Sequence, residues 1–321
     1  MFHGEFRVSF WESKPGAVVG VLAIAGLLGL VIAGIRVQRT THPPRKVGEE
    51  LDFEAISMRV EQVRFPSLDG IALAGWLLEG VSDRPTLILC HDLGASKASL
   101  VSLAVDLNGR GFSVLLVDFR AHGESGGSGS TLGIEEKRDI LGALDYLAGR
   151  RGREAPRVGI YAIGMGAHAA VLAAADRPAL RALVLDGLYP DASLPLRRQV
   201  FAGWEPGMRH FSFLSDGLFA LMSGSRVGEH RAADVLPQLV GRDVLLMAAE
   251  NDPLLTTEMQ RMVATLPPQS DTDGSLVLLP ESRGGPLYGD DLGRRRETVA
   301  RFFESRLLDP DQGGSALARR P

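Results

Sequence analysis

The chain has 321 residues and a formal net charge of −4, and 45% of its residues are hydrophobic. These proportions are typical of a folded globular protein and exclude an intrinsically disordered chain. The near balance of 35 basic and 39 acidic residues argues against a nucleic-acid partner, which normally requires clustered Lys and Arg. The single cysteine, Cys90, excludes an intrachain disulfide and a cysteine-based zinc site.

An apolar segment near the N-terminus predicts a membrane-spanning helix. The segment 17–35, from Ala17 to Ile35, contains no charged side chain. At ~1.5 Å per residue it forms a helix about 28 Å long, close to the ~30 Å of bilayer hydrocarbon. A lead of residues 1–16 precedes it and no clear small-residue cleavage site follows, which favours an anchor over a signal peptide or a buried core helix. The lipid bilayer is therefore a predicted partner.

Basic residues are concentrated just after the predicted span. Four of them precede the first acidic residue, Glu49: Arg36, Arg39, Arg45 and Lys46. The positive-inside tendency then places the C-terminal side, with the rest of the chain, in the cytoplasm. Residues 36–48 are predicted to be a linker because Pro43 and Pro44 oppose a continuing helix.

Strand and helix patterns alternate over residues 49–308. Two strands joined by a tight turn are predicted first, at 57–65 and 71–78. Short apolar runs typical of buried strands follow at 86–90, 113–118, 158–162, 182–185, 244–248 and 276–279. Helices are predicted at 97–107, 134–147, from residue 165 and at 292–307. This alternation predicts an α/β fold whose mostly parallel sheet has helices on both faces and an antiparallel start.

Two segments depart from the alternation. Residues 187–239 contain several aromatic side chains without a clear strand, and we interpret them as an inserted cap. Residues 309–321 at the C-terminus are predicted to form a disordered tail.

Four short motifs follow predicted strands in chain order. His91-Asp92-Leu93-Gly94 comes after the third strand and the loop from Asp118 through Arg120 to Ser125 after the fourth. Residues 158–168 run from a strand into a helix, and Glu250-Asn251-Asp252-Pro253 follows a late strand. Together they resemble the α/β-hydrolase family, specifically its membrane-anchored esterase and serine-aminopeptidase-like members. The resemblance implies that family's fold, with Asp252 at the position of the catalytic acid.

The nucleophile position departs from the family motif G-x-S-x-G. The chain reads Ala162-Ile163-Gly164-Met165-Gly166, so Gly164 replaces the serine and offers no atom that could attack a carbonyl. The family places a histidine after the acid, but the last histidine here is His230, before Asp252. Arg283 is the residue nearest the expected base, and arginine stays protonated. Loss of serine hydrolysis is therefore predicted.

The resemblance also implies roles for other residues. Leu93 and Met165 match the backbone amides of the family's oxyanion hole. Ser125 lies in a Gly-x-Ser-x-Gly sequence, but its loop does not join a strand directly to a helix, so a loop role is favoured over a catalytic one. We expect Arg283 to pair with Asp252, because an unpaired buried charge is costly. The alternative is that Asp252 caps a helix or faces solvent.

Other reactive side chains have simpler explanations. Cys90 and His91 are adjacent on a strand and point to opposite faces, which argues against a Cys-His dyad and makes Cys90 a small core residue. His168, in the helix after Gly164, is interpreted as a packed helix residue. No metal-ligand spacing and no phosphate-binding P-loop occur, so no metal is predicted.

A dinucleotide site is the second enzymatic interpretation. Gly164-Met165-Gly166-Ala167-His168-Ala169 fits G-x-G-x-x-A between a strand and a helix, and Asp186 ends the next strand. This interpretation explains one motif of the four, so no cofactor is predicted.

The sequence therefore predicts a membrane-tethered α/β-hydrolase-fold protein that binds a ligand or partner without hydrolysing it. An esterase, thioesterase or peptidase-like acyl hydrolase with an atypical nucleophile is the alternative. A scaffold protein with a filled pocket is a third interpretation.

Overall fold

The computed structural model describes residues 15–46, 59–151, 157–203, 212–250, 252–266, 276–279 and 290–308. The predicted tail, Arg283 and all but the last two residues of the predicted lead lie outside these ranges.

Within these ranges, eight strands form one sheet in the order β1-β2-β4-β3-β5-β6-β7-β8. They are β1 Val60–Pro66, β2 Ala72–Leu78, β3 Thr86–Cys90, β4 Ser113–Val117, β5 Val158–Ile163, β6 Leu180–Asp186, β7 Asp243–Ala249 and β8 Leu276–Leu279. β2 pairs antiparallel with β1 and with β4, and every other neighbouring pair is parallel. The predicted mostly parallel sheet with an antiparallel start is confirmed.

Helices cover both faces of the sheet. α2 Val101–Gly109 and α9 Asp290–Leu307 pack on one face, and α3 Lys137–Arg151, α4 Met165–Asp176 and α8 Pro253–Val263 pack on the other. Successive side chains of a strand point to opposite faces. Leu87 and Leu89 of β3 therefore enter the α2–α9 core, whereas Ile88 and Cys90 enter the other core. Burial on both faces explains the continuous apolar runs that the sequence shows.

The segment 187–239 carries further helices. They are α5 Ser193–Val200, α6 Ser212–Ser223 and α7 Ala232–Val235, with residues 204–211 outside the described ranges. α7 packs against α4, while α5 and α6 pack against each other and against the N-terminal helix. A third apolar cluster, which includes Leu196, Val200 and Phe219, fills the space between them.

The N-terminal helix α1 spans Pro15–Thr41 and is longer than the predicted membrane segment. Its final turns are docked on the cap: Val37 is fully buried, and Arg36 Nη1 donates hydrogen bonds to the carbonyl oxygens of Val200 (2.7 Å) and Ala202 (2.9 Å). The predicted start of the linker at residue 36 is therefore wrong. Packing extends the helix until the restriction that Pro43 places on the preceding residue takes effect.

α1 is long and apolar enough to cross a membrane. Its most apolar stretch has a mean hydropathy of 2.7, and 6% of that stretch is buried in the protein. Val19, Leu22 and Ile24 are exposed along it. Because a core helix buries such side chains, these exposed residues exclude the interpretation of α1 as a core helix of the domain.

Candidate functional site

A cavity of about 770 Å³ opens at the carboxyl ends of β3, β5, β6 and β7. Ligands of open α/β sheets bind at this edge, and volumes of this order hold small molecules. Much of its wall is apolar, including Leu100, Leu103, Leu132, Ile163, Leu194, Leu255 and Leu292. The charged residues around it are Lys46, Asp92, Asp186, Arg198, Asp252, Arg295 and Arg296.

Gly164 forms the sharp turn between β5 and α4 at the base of the cavity. Its φ of 50° and ψ of −107° lie in a region that side-chain-bearing residues rarely adopt. Its backbone N–H donates to the Asp186 carbonyl oxygen at 2.8 Å, which ties the turn to β6. The strand–turn–helix geometry that presents a nucleophile is therefore present, with glycine at its tip.

The carboxylate of Asp92 fills the space where a nucleophile's side chain would begin. A Cβ built on Gly164 would lie 2.1 Å from Asp92 Oδ1 and 2.5 Å from its Cγ. The same Oδ1 accepts hydrogen bonds from the backbone N–H groups of Leu93 (2.7 Å) and Met165 (2.8 Å). The two amides that the sequence matched to an oxyanion hole thus converge, and a carboxylate of the protein itself occupies them.

Asp92 is the site residue that the sequence analysis did not single out. Its only signal was the reading His-Asp-x-Gly where the family usually has His-Gly-x-Gly. Burial raises the pKa of Asp92, and the amides of Met165 and Leu93 oppose that rise by stabilising the anion. Among the described residues, no cationic side chain forms an ion pair with Asp92.

Asp252, which the sequence resemblance matched to a catalytic acid, is engaged by Arg198 of α5. Its Oδ2 and Oδ1 accept from Arg198 Nη1 (2.6 Å) and Nη2 (2.8 Å), and Oδ1 also accepts from the Leu255 N–H at the start of α8. The Arg198 hydrogen bonds are the largest cause of its lowered pKa. Asp252 therefore caps a helix, as the alternative interpretation held. The pairing with Arg283 lies outside the described residues and stays a prediction.

Asp186 forms a second buried cluster beside the cavity. Its Oδ2 accepts from Arg295 Nη1 at 2.7 Å and from the Tyr161 hydroxyl at 2.9 Å. Burial raises the pKa of Asp186, while the Arg295 charge acts in the opposite direction. A dinucleotide site would need this carboxylate for a ribose and the Met165 amide for a phosphate, and both already have partners within the chain.

The loop after β4 is held by its motif residues. Asp118 is fully buried and accepts from Lys97 Nζ at 2.6 Å. The guanidinium of Arg120 bridges Asp139 (2.7 Å) and Asp69 (2.8 Å). These ion pairs fix the loop against α3 and the β1–β2 turn.

Two further motif residues bond to backbone. Ser125 Oγ donates to the Asp118 carbonyl oxygen at 2.6 Å and accepts from the Ala74 N–H at 2.9 Å. His91 Nδ1 donates to the Asp92 carbonyl oxygen at 2.8 Å, and its Nε2 accepts from the Phe119 N–H at 3.1 Å. Burial lowers the pKa of His91 to about 4. Ser125 therefore ties its loop to β2, and His91 ties the loop after β3 to the loop after β4.

Two remaining side chains with reactive groups, Cys90 and His168, are fully buried. Cys90 lies in the core, and burial raises the pKa of its thiol, which keeps it protonated and unreactive. Within the described ranges, no group of three His, Cys, Asp or Glu side chains is placed to hold a metal ion. His168 is fully buried in α4, with its ring stacked on Tyr189 at 5.1 Å between centroids.

Replacing His168 with phenylalanine should reduce the acid sensitivity of the fold. Burial lowers the pKa of His168 to about 4 from an ordinary value of 6.5, so the unfolded chain binds the extra proton first as pH falls. Stability linked to this residue is complete above about pH 6.5 and is lost towards pH 4, by roughly 3 kcal/mol. Urea unfolding of His168→Phe at pH 7.5 and 4.5 should show a smaller difference than wild type. His230→Phe, at an exposed position, is the control, and equal pH dependence in all three proteins would contradict the prediction.

Comparison with known proteins agrees with this architecture. Residues 82–201 match the family model described as serine aminopeptidase, S33. The structure of esterase Pf2001 from Pyrococcus furiosus superposes with a TM-score of 0.66 at 19% identity, covering 83% of this chain and 100% of that one. Dienelactone hydrolase from Anabaena variabilis gives a TM-score of 0.55 at 17% identity, covering 78% and 99%. The chain has the α/β-hydrolase fold.

Two of the proteins that are similar in sequence have no activity in their names, and a third is named a thiohydrolase. An uncharacterized protein of Mycobacterium tuberculosis is 28% identical over 193 residues, which are 57% of this chain and 65% of that protein. The uncharacterized protein YfhR of Escherichia coli is 24% identical over 255 residues, 77% of this chain and 81% of that one. Thiohydrolase aneE of Aspergillus aculeatus is 29% identical over 126 residues, 38% and 40% of the two chains. The match thus spans about two thirds of the mycobacterial protein. These similarities indicate a hydrolase fold but do not identify a substrate.

Proposed function

We propose that this is a membrane-tethered α/β-hydrolase-fold protein that binds a small ligand in the cavity and does not hydrolyse it by a serine mechanism. One observation supports this above all: at the reaction position, Gly164 supplies no nucleophile and the Asp92 carboxylate takes its place. α1 is the tether, and the basic residues that follow its apolar segment 17–35 favour the cytoplasmic side for the domain.

Acyl transfer by a serine mechanism requires an unoccupied oxyanion hole and a general base. A serine hydrolase stabilises the oxyanion with free backbone N–H groups and activates its serine with a neutral imidazole. Here the Leu93 and Met165 amides already donate to Asp92, so a negative oxygen entering the site would meet a carboxylate. No histidine follows Asp252 in the chain to act as the base.

The cavity suggests the class of ligand. Its leucine-rich wall suits an aliphatic or aromatic body, and Lys46 and Arg296 among its lining residues suit a polar or anionic end. An amphiphile with one apolar chain matches both features. The dinucleotide interpretation is less favoured, because its two recognition groups are engaged within the protein.

The test combines a reactivity assay with a binding assay on the full chain in detergent micelles. We expect no labelling by a fluorophosphonate probe and no turnover of short p-nitrophenyl esters. A fluorescent fatty-acid analogue should bind, and Leu194→Trp, which fills the cavity from α5, should weaken its binding about tenfold, or ~1.4 kcal/mol. Val81→Trp, at an exposed position outside the cavity wall, is the matched control. Stoichiometric labelling of one serine would refute the proposal.

A second candidate is acyl hydrolysis with an atypical nucleophile. It is favoured by the position of the Asp92 carboxylate at the tip of the turn and by the esterase and thiohydrolase names among similar proteins. In that case ester turnover would be measurable and Asp92→Asn would abolish it. If turnover is absent in wild type, this candidate fails.

A further inference from the structure

The outer face of the cap helix α6 is apolar where a soluble protein would present polar groups. Phe213, Leu221 and Met222 are 64%, 82% and 37% exposed, and the opposite face buries Ser215 and Phe219. The helix carries one charge, Asp216, which pairs with Arg197 of α5 at 2.5 Å. Phe213 and Leu221 are eight residues apart, so at about 3.6 residues per turn they project from the same side of α6, with Gly217 between them, and Met222 lies at the edge of that side. Phe213 and Leu221 therefore form one exposed apolar face.

This patch is continuous with the helix that crosses the membrane. α6 packs directly on α1, and Ala33 and Val37 are the buried residues of α1 that share an apolar cluster with Phe219 of α6. N-terminal to that contact, residues 18–28 of α1 have no buried side chain.

The length of α1 N-terminal to its contact with α6 determines where that contact lies relative to the bilayer. From Pro15 to Leu28 the helix is about 21 Å long at ~1.5 Å per residue, well short of the ~30 Å of bilayer hydrocarbon. Glu12 and Lys14 precede this stretch in the sequence, so an uncharged segment of bilayer length must include the turns up to Ile35. The last of these turns lie beside the cap. If α1 crosses the bilayer, α6 is carried to the boundary between lipid headgroups and acyl chains.

We propose that α6 is an interfacial membrane helix that inserts Phe213 and Leu221 into the bilayer next to α1. The proposal rests on the tether being a membrane span. Amphipathic helices of this kind lie in the interface with their apolar face buried among the acyl chains. α5 lies between α1 and the cavity: its Leu196 packs in the same apolar cluster as Ala33 and Val37 of α1, and its Leu194 lines the cavity. The same arrangement therefore brings α5, and with it one wall of the cavity, close to the lipid surface.

The experiment places an environment-sensitive nitrobenzoxadiazole label at single cysteines in the full chain, reconstituted in phosphatidylcholine vesicles. Cys90 is fully buried and does not compete for the label. Leu221→Cys reports on α6, Leu27→Cys on α1, and Val81→Cys on an exposed apolar position of the domain surface. Nitroxide-bearing lipids should quench the label at 221 at least about twofold more than the label at 81.

The three labels distinguish the proposal that α6 enters the bilayer from the proposal that α1 is a membrane tether. Strong quenching at 27 with equal, weak quenching at 221 and 81 would overturn the α6 proposal and leave the tether standing. Weak quenching at all three positions would overturn both. A blue-shifted label at 221 that lipid nitroxides do not quench would show that another protein copy covers α6, which also overturns the proposal.

Discussion

Gly164→Ser is expected to unfold or severely destabilise the protein instead of creating a hydrolase. The new side chain would begin 2.1 Å from Asp92 Oδ1, so Asp92 would have to leave the Leu93 and Met165 amides. Losing hydrogen bonds to a charged group costs about 1.5–3 kcal/mol each, and a side chain at positive φ adds ~1–3 kcal/mol of strain. We therefore expect a loss of roughly 4–9 kcal/mol in the free energy of unfolding and no ester turnover.

A double-mutant cycle isolates the contact between the two residues. Asp92→Ala removes the atoms that the new side chain would meet, so Gly164→Ser in that background should cost only the backbone strain. The coupling free energy should be at least about 2 kcal/mol. Gly149→Ser, in α3 where nothing lies within 4 Å of a new Cβ, is the matched control and should change stability little. Equal costs of Gly164→Ser in both backgrounds would show that the Asp92 carboxylate does not occupy this space in solution.

The core of the fold was predictable because each strand carries its own signal. β3 and β8 were predicted at their observed bounds because each is a short apolar run in the sequence. In β3 that run reflects burial on both faces of the sheet, whereas in β8 Leu278 is exposed. The replacement of the expected serine by Gly164 was also predictable, because the strand–turn–helix motif can be recognised in the sequence and the serine has a fixed place in it. These features depend on residues that are neighbours in the chain.

The occupied site was not predictable because it depends on residues from different elements. The direction of the Asp92 side chain follows from how the loop after β3 meets the turn after β5. The pairing of Asp252 with Arg198 requires the position of a cap helix that no local pattern fixes. The length of α1 was underestimated for the same reason, since its last turns are stabilised by contacts with residues far along the chain.

The glycine at position 164 and the aspartate at position 92 depend on each other structurally. Glycine at 164 leaves the volume into which the carboxylate enters, and the carboxylate satisfies two backbone amides that a substrate oxygen would otherwise use. Restoring a serine alone therefore restores neither the space nor the oxyanion hole. A serine mechanism at this site would require at least both changes and a general base, so we expect no single substitution to create serine hydrolysis.

Arg295→Met is expected to cost about 3–5 kcal/mol in the free energy of unfolding at pH 7.5, because it leaves the buried Asp186 without its cation. Arg198→Met breaks the half-exposed pair with Asp252 and is the matched control, with an expected cost below about 1 kcal/mol. Urea unfolding of the full chain in detergent, followed by circular dichroism, measures both. A loss for Arg295→Met no larger than for Arg198→Met would contradict a structural role for the buried pair.

The pH dependence of Arg295→Met tests the same electrostatic cause. Burial already raises the pKa of Asp186, and removing the Arg295 charge removes an influence that lowers it. Asp186 in the variant would therefore keep its proton when folded at pH values where the unfolded chain has lost it. Linkage then makes the variant lose stability as pH rises above about 4, so its deficit relative to wild type should be smaller at pH 5 than at pH 7.5. Asp186→Leu combined with Arg295→Met removes both charges and should recover much of the loss, since a buried pair replaced by apolar side chains is often close to neutral.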